Sequence, residues 1–541
     1  MSYDKEKEQI QDSVLPISHL DGDHEATNED KGFHRSLTSR HVGIIALASS
    51  IGTGLFLGSG SALKNAGPLG ILLGYAAVGL LTCAIALMTA EMAAFIPRAG
   101  GTTRHVYMFV DRALGIANGW NFAYSMAITA PAELTAASSL IAFWRPDLNL
   151  AIFISVFMVI IIAFNFSSVR VYGETEFVFG VLKILLIVGL ILAGLIVDWG
   201  GSPSGEFIGG KHWREGAIKE YIKTGSAGRF LAFWSTLTNA AFALINIQIV
   251  ATAGAEVQNP RKAIPTALKR VFIRIIVFYL ASLLVVGLIL SSNDPRIGLA
   301  SGTSGSPFVL AFESAGIKAL PSIINAIVIT SAFSSGNGCV FLASRTIVGL
   351  AHDGAAPKLF LKTNRWGSPY WAVALSCIFM PLAYLECSTS NTPALVFNWF
   401  VNLVSVAGLM AWFIIAITFL RFQWALKRLG VDRSELPYRA PMPVFLGWFS
   451  TIFSFLIIFF SGYTVFLKGN FTASGFLSNY INAFVLIGLY IVLKFTIKSP
   501  FIKPEDMGIV EELEVIRQER EEESGAGKLS IWRRIVDKVV N

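Results

Sequence analysis

Twelve apolar stretches divide the chain, near 41–63, 69–96, 118–144, 148–166, 177–197, 230–255, 271–291, 320–350, 370–387, 395–420, 442–467 and 477–497. Runs of about 20 apolar residues are what a helix needs to cross a bilayer. Lipid offers backbone N–H and C=O groups no partners, so each run must satisfy them internally as a helix. The predicted fold class is therefore an all-α membrane protein with twelve transmembrane helices. Only 15% of the 541 residues are charged, against roughly 25% in soluble domains, which excludes an ordinary soluble enzyme. The Lys and Arg residues fall in short clusters between apolar runs, a pattern that argues against nucleic acid. Loops after even-numbered spans carry 16 of them and the short loops of the other face 5, leaving aside 5 more in 198–229, which places both termini in the cytoplasm. The four cysteines lie in or beside apolar runs and the seven histidines are scattered, so neither a disulfide framework nor a metal site is expected. No phosphate-binding loop is present, and no cofactor is expected.

Two spans carry features that do not suit a continuous helix. The first contains Ala48-Ser49-Ser50-Ile51-Gly52-Thr53-Gly54-Leu55-Phe56, with two glycines and flanking hydroxyls at mid-membrane. The sixth contains Phe242-Ala243-Leu244-Ile245-Asn246-Ile247-Gln248, with two carboxamides in an apolar helix. Glycine costs about 1 kcal/mol relative to alanine inside a helix, and interrupted helices in corresponding positions of two halves point to a transporter's central site. Spans 1–5 and 6–10 then form two inverted repeats. The alternative for Gly52 and Gly54 is close approach of a second helix.

Further motifs carry a family resemblance: Ile51-Gly52-Thr53-Gly54-Leu55-Phe56, Glu91-Met92-Ala93 with Pro97, Gly119-Trp120-Asn121, Glu133-Leu134-Thr135-Ala136, Gly173-Glu174-Thr175-Glu176, and Ala255-Glu256-Val257-Gln258-Asn259-Pro260-Arg261-Lys262-Ala263-Ile264-Pro265. In this ordered set, over roughly 37–500, the chain resembles the fungal amino acid permeases of the amino acid, polyamine and organocation transporter superfamily. The resemblance implies a LeuT-like 5+5 inverted repeat with broken helices 1 and 6 plus two extra helices, and proton-coupled uptake (symport) of amino acids at the plasma membrane. The domain reading is then 1–40 a cytoplasmic acidic tail, 41–197 the first repeat, 198–229 an extracellular loop, 230–420 the second repeat, 421–500 spans 11 and 12, and 501–541 a cytoplasmic tail with an amphipathic helix. Where the family usually has Gly and Glu in the broken sixth span, this chain has Asn246 and Gln248.

An amino acid substrate brings a carboxylate and an ammonium. Helix N-termini suit the first and C-terminal carbonyls the second. The substrate-binding set expected here is Ser50, Ile51, Gly52, Thr53, Gly54, Phe242, Ala243, Ile245, Asn246, Gln248 and Asn337. The carboxylate falls to the amides of Gly52, Thr53 and Gly54, and the ammonium to carbonyls around Phe242, Ala243 and Ile245. Phe242 is a gate or an ordinary packing residue. The polar patch Ser334-Ser335-Gly336-Asn337-Gly338 either lines the pocket or glues helices together.

Glu133 sits at mid-membrane, where a carboxylate marks a proton path or a substrate amine contact, or else pairs with a buried donor. Lys183 is the rival coupling residue. Its position, roughly 9 Å from the cytoplasmic edge by helix rise, favours snorkelling. Glu91 and Glu256, nearer the cytoplasmic ends, are expected to hold gates or loops. The driving force is a proton gradient. The partners are the amino acid, protons, the lipid bilayer and, through the resemblance, ubiquitin ligase machinery at the tails. The alternative function is a non-transporting amino acid sensor on the same fold. Neutral amino acids, proline among them, fit the absence of a carboxylate at Gln248.

Overall fold

In a computed structural model of the chain, residues 51–97, 101–203, 205–214, 216–245, 260–297, 306–388 and 392–521 are described. They are helical, with no strand among them. The long helices are α1 (Gly54–Phe95), α2 (Arg112–Ile141), α3 (Leu150–Phe166), α4 (Val169–Asp198), α5 (Gly225–Leu244), α6 (Pro260–Ile273, continued by a π-helix at Arg274–Ala281 and a last turn at Ser282–Ile289), α7 (Leu320–His352), α8 (Tyr370–Cys377), α9 (Pro393–Arg428), α10 (Pro443–Phe460) and α11 (Ala473–Ile497). Seven of the described helical segments are long and apolar enough to cross a membrane. The apolar stretch of α9 is 78% buried within the protein and that of α11 11%, so α9 is central and α11 faces lipid.

The segment labelled α1 is two helices that meet at a sharp kink, the second part of expected span 1 and all of span 2, parted where the sequence leaves a gap between the spans. Gly67 adopts φ +75 and is followed by Pro68, a residue that cannot donate to the helix and clashes with its preceding turn. The backbone groups freed there pair with the 198–229 loop: Leu69 N–H donates to the Ala217 carbonyl at 2.8 Å and Lys219 N–H to the Ala66 carbonyl at 3.0 Å. A Cβ on Gly67 would stand 2.9 Å from the Gly216 and Ala217 oxygens, so the bend excludes side chains. The expected loop 198–229 is thus a cover fixed over the bend.

Expected span 118–144 falls on α2, and the described part of expected span 230–255 falls on α5, its residues 246–255 lying outside the described residues. Helix α2 buries Asn118, Asn121, Ser125, Thr129, Glu133, Thr135 and Ser138, the composition of a helix that faces protein rather than lipid. Expected span 9 starts as α8 and tightens into a 3₁₀ segment, Met380–Cys387. Short helices at Gly101–Phe109 and Pro307–Ser314 lie in stretches read from sequence as loops.

The end of the bundle that carries Glu91 is held together by charge. Glu91, fully buried on α1, accepts from Arg433 at 2.8 Å, Gln423 at 2.7 Å and the Ala440 amide at 2.6 Å. The acidic tail helix 509–521 buries Ile509, Leu513 and Ile516. Arg261 donates to its Glu512 and Glu519 and to the Ala94 and Phe95 carbonyls at the end of α1. The segments 1–50 and 522–541, with the expected amphipathic turn at Trp532, Ile535, Val536 and Val539, lie outside the described residues.

Candidate functional site

Helix α1 begins deep inside the protein. Ile51 and Gly52 are non-helical, Thr53 is the N-cap, and the first turn, Gly54–Gly58, is a π-helix. Thr53 is fully buried, so the free amides of this N-terminus point into protein rather than water. Two glycines allow it. A Cβ on Gly52 would lie 2.5 Å from Glu133 Oε1 and 2.8 Å from Ser335 Oγ, and one on Gly54 2.7 Å from the Ala243 Cα.

Glu133, 3% exposed on α2, meets this N-terminus. Its Oε2 accepts from the Thr53 amide at 3.4 Å and its Oε1 from the Ser335 hydroxyl at 2.9 Å. Two residues before it, Pro131 leaves a backbone carbonyl of α2 without its usual helical donor. Helix α7 supplies three serines on one face: Ser331 donates to the Ile51 carbonyl at 3.0 Å, Ser334 to Glu176 Oε2 at 2.6 Å, and Ser335 to Glu133. From the opposite side come the last turns of α5. Phe242 packs edge-on against Phe397 with centroids 5.9 Å apart. The Ala243 carbonyl accepts from the Tyr279 hydroxyl at 2.8 Å, and the Gly54 carbonyl from the Tyr75 hydroxyl at 3.4 Å.

Gly52, Gly54, Thr129, Glu133, Phe242, Ala243, Ser335 and Val404 enclose a cavity of about 10 Å³, the scale of one water. The site is closed. An amino acid enters only if the lining opens, and Phe242 is the large side chain in that lining.

The sequence-predicted residues divide accordingly. Gly52, Gly54, Glu133, Phe242 and Ala243 meet at the cavity, with Ile51 and Thr53 beside them. Ile245 is buried against Gly408. Asn337 turns away from the cavity, its Oδ1 accepting from Asn165 of α3 at 2.8 Å, so the patch on α7 divides: its serines face the site and its asparagine joins helices. Glu91 lies with Arg433 and the Ala440 amide, apart from the cavity. Ser50, Asn246, Gln248 and Glu256 lie outside the described residues.

Lys183 corrects the snorkelling expectation. It is fully buried, donates to Ser334 Oγ at 3.0 Å and stands 3.9 Å from Glu176 Oε1. The inward face of α4, which carries both residues, offers a carboxylate, and pairing removes the reason to reach for the interface. Glu176 is a residue that the sequence reading quoted without giving it a role. The signal was present, because a Glu seven positions before a Lys lies on the same helix face. Glu386, buried in the Met380–Cys387 segment, accepts from Ser138 and was also missed. Breaking a buried ion pair by removing one partner costs about 3–5 kcal/mol. Lys183→Met and Glu176→Gln are therefore each expected to lower the melting temperature of the solubilised protein, and the double variant to recover part of the loss. Additive losses would mean that the two charges do not interact.

Comparison with known proteins supplies the family and the fold class. The sequence profile described as Amino acid permease matches residues 41–503. The chain belongs to the amino acid permease family. The dicarboxylic amino acid permease of Saccharomyces cerevisiae is 38% identical over 93% of this permease and 83% of its own length. The proline-specific permease of Emericella nidulans is 36% identical over 86% of each chain, and the lysine-specific permease of S. cerevisiae 38% identical over 90% of this permease and 79% of its own length. Among solved structures, a manganese transporter from Eremococcus coleocola superimposes with a TM-score of 0.56 over 93% of this permease and 98% of that chain, at 13% identity. At that identity the likeness concerns fold alone. The permease is an all-α membrane transporter of the LeuT-like class, not an enzyme.

Proposed function

We propose that the permease carries an amino acid inward together with a proton across the plasma membrane, with both termini in the cytoplasm and the tails open to ubiquitin ligases. The observation that carries the reading is the Glu133 carboxylate on the Thr53 amide at the buried start of α1. That N-terminus is where a substrate carboxylate is best held. Two carboxylates cannot share one donor without strong repulsion. A proton on Glu133 removes the competing charge and releases the amide to the substrate. After the substrate leaves, loss of the proton lets Glu133 reclaim Thr53, and the cycle resets. Proton and substrate are thereby loaded together.

The test is uptake of labelled amino acids by cells lacking their own permeases, with the external pH varied and the proton gradient collapsed. Accumulation that collapses with the gradient supports symport. Uptake indifferent to the gradient contradicts the coupling, and no uptake of any amino acid points to a sensor. The relatives' names span dicarboxylic, proline and lysine substrates, so specificity rests on this chain's own residues. Gln248 lacks the charge that would balance a cationic side chain in a low-dielectric site, which favours neutral substrates. Gln248→Glu is expected to shift inhibition of uptake toward lysine and arginine by about tenfold, roughly one 1.4 kcal/mol interaction. An unchanged ranking of competitors removes Gln248 from specificity.

A further inference from the structure

The Ala243 carbonyl lies in the last described turn of α5, and it is a group expected to face a substrate ammonium. Its partner in the structure is a tyrosine from another helix. Tyr279, 1% exposed, lies in the π-helix Arg274–Ala281 and donates to that carbonyl at 2.8 Å. A π-turn adds a residue to the helical register and re-aims the side chains around it. Here Tyr279 comes from one of two π-segments beside the cavity, the other being the first turn of α1.

We propose that Tyr279 holds the place of the substrate's ammonium on the Ala243 carbonyl, so that loading the site exchanges a neutral hydroxyl donor for a charged one. The inference rests on the amino acid reading of this cavity and deepens it. With Glu133 on the Thr53 amide, both ends of the closed site are then satisfied by side chains that imitate the two charged ends of an amino acid. The exchange gives a gain in hydrogen-bond strength, since bonds from charged donors are stronger than neutral ones. It also sets a chemical requirement. A ligand with a carboxylate and no amine displaces Glu133 but has nothing to offer Ala243, and leaves Tyr279 in place.

The experiment is Tyr279→Phe, with Tyr75→Phe as the matched control that removes a buried hydroxyl from Gly54 instead. In Tyr279→Phe the carbonyl is left underused before binding, and the substrate ammonium relieves that cost. KM for the labelled amino acid is expected to fall about tenfold, while inhibition by the corresponding carboxylic acid lacking the amino group is unchanged. Tyr75→Phe is expected to show no such fall. A KM that stays constant or rises in Tyr279→Phe, or an equal shift for the acid without an amine, overturns the proposal. Where Tyr279→Phe fails to reach the surface, thermal stabilisation of the solubilised protein by the amino acid gives the same comparison, and a gain no larger than in wild type overturns it. Absence of uptake by the wild-type chain refutes the amino acid reading instead, a result distinct from these.

Discussion

Glu133→Gln is expected to reduce accumulation of substrate by roughly 100-fold or more, the scale of losing a positioned proton-transfer group, while the protein still reaches the cell surface. The amide keeps the shape of the carboxylate and can still accept from the Ser335 hydroxyl that stands 2.9 Å from Oε1, so folding is little disturbed. What it cannot do is bind and release a proton. In the wild type, uptake should fall as external pH rises, because fewer carriers then hold the proton that frees Thr53. In the variant the residual uptake should be flat with pH and should equilibrate rather than concentrate the substrate. Residual uptake that keeps the wild-type pH dependence would remove Glu133 from coupling and return attention to the buried Lys183–Glu176 pair on Ser334.

The parts of this site that were legible in the sequence are those whose chemistry is local. Gly52 and Gly54 stand out because glycine and hydroxyl residues cluster where a span needs apolar ones, and Glu133 because a carboxylate interrupts an apolar run. Their departure from an apolar span shows within one helix each. Tyr279 and Ser331 could not be found in that way. A tyrosine or a serine is unremarkable in a membrane helix, and its meaning comes from a carbonyl on another helix. Lys183 shows a different kind of failure. Its distance from the membrane edge allowed snorkelling, but the edge was weighed without Glu176 on the same face. The helix at 509–521 was not read from the sequence, where the expected tail helix falls at 532–539, and its docking is invisible there because Arg261 and Glu435 lie far away in the chain. The break at Gly67-Pro68 was legible as the gap between spans 1 and 2, whereas the backbone partners that the 198–229 loop lends it were not.

Gly52→Ala and Gly54→Ala should both end transport, but by different routes, and the difference tests whether the start of α1 is the substrate site. At Gly52 the added methyl meets Glu133 Oε1 at 2.5 Å and Ser335 Oγ at 2.8 Å. These are ends of side chains and can swing aside, so the protein should remain folded while the Glu133 contacts to Thr53 and Ser335 are lost. At Gly54 the methyl meets the Ala243 Cα at 2.7 Å. Backbone cannot swing aside, so α1 and α5 must separate, at an overpacking cost of about 1–3 kcal/mol. Gly54→Ala should therefore lower both thermal stability and surface level. Gly52→Ala should keep both and lose uptake together with its pH dependence. Gly189→Ala on α4, where nothing lies within 4 Å of the added atom, should be neutral in every measurement. If Gly52→Ala transports normally, the Glu133 contacts at the start of α1 are a packing feature, and the carboxylate exchange proposed for coupling has no site in which to occur.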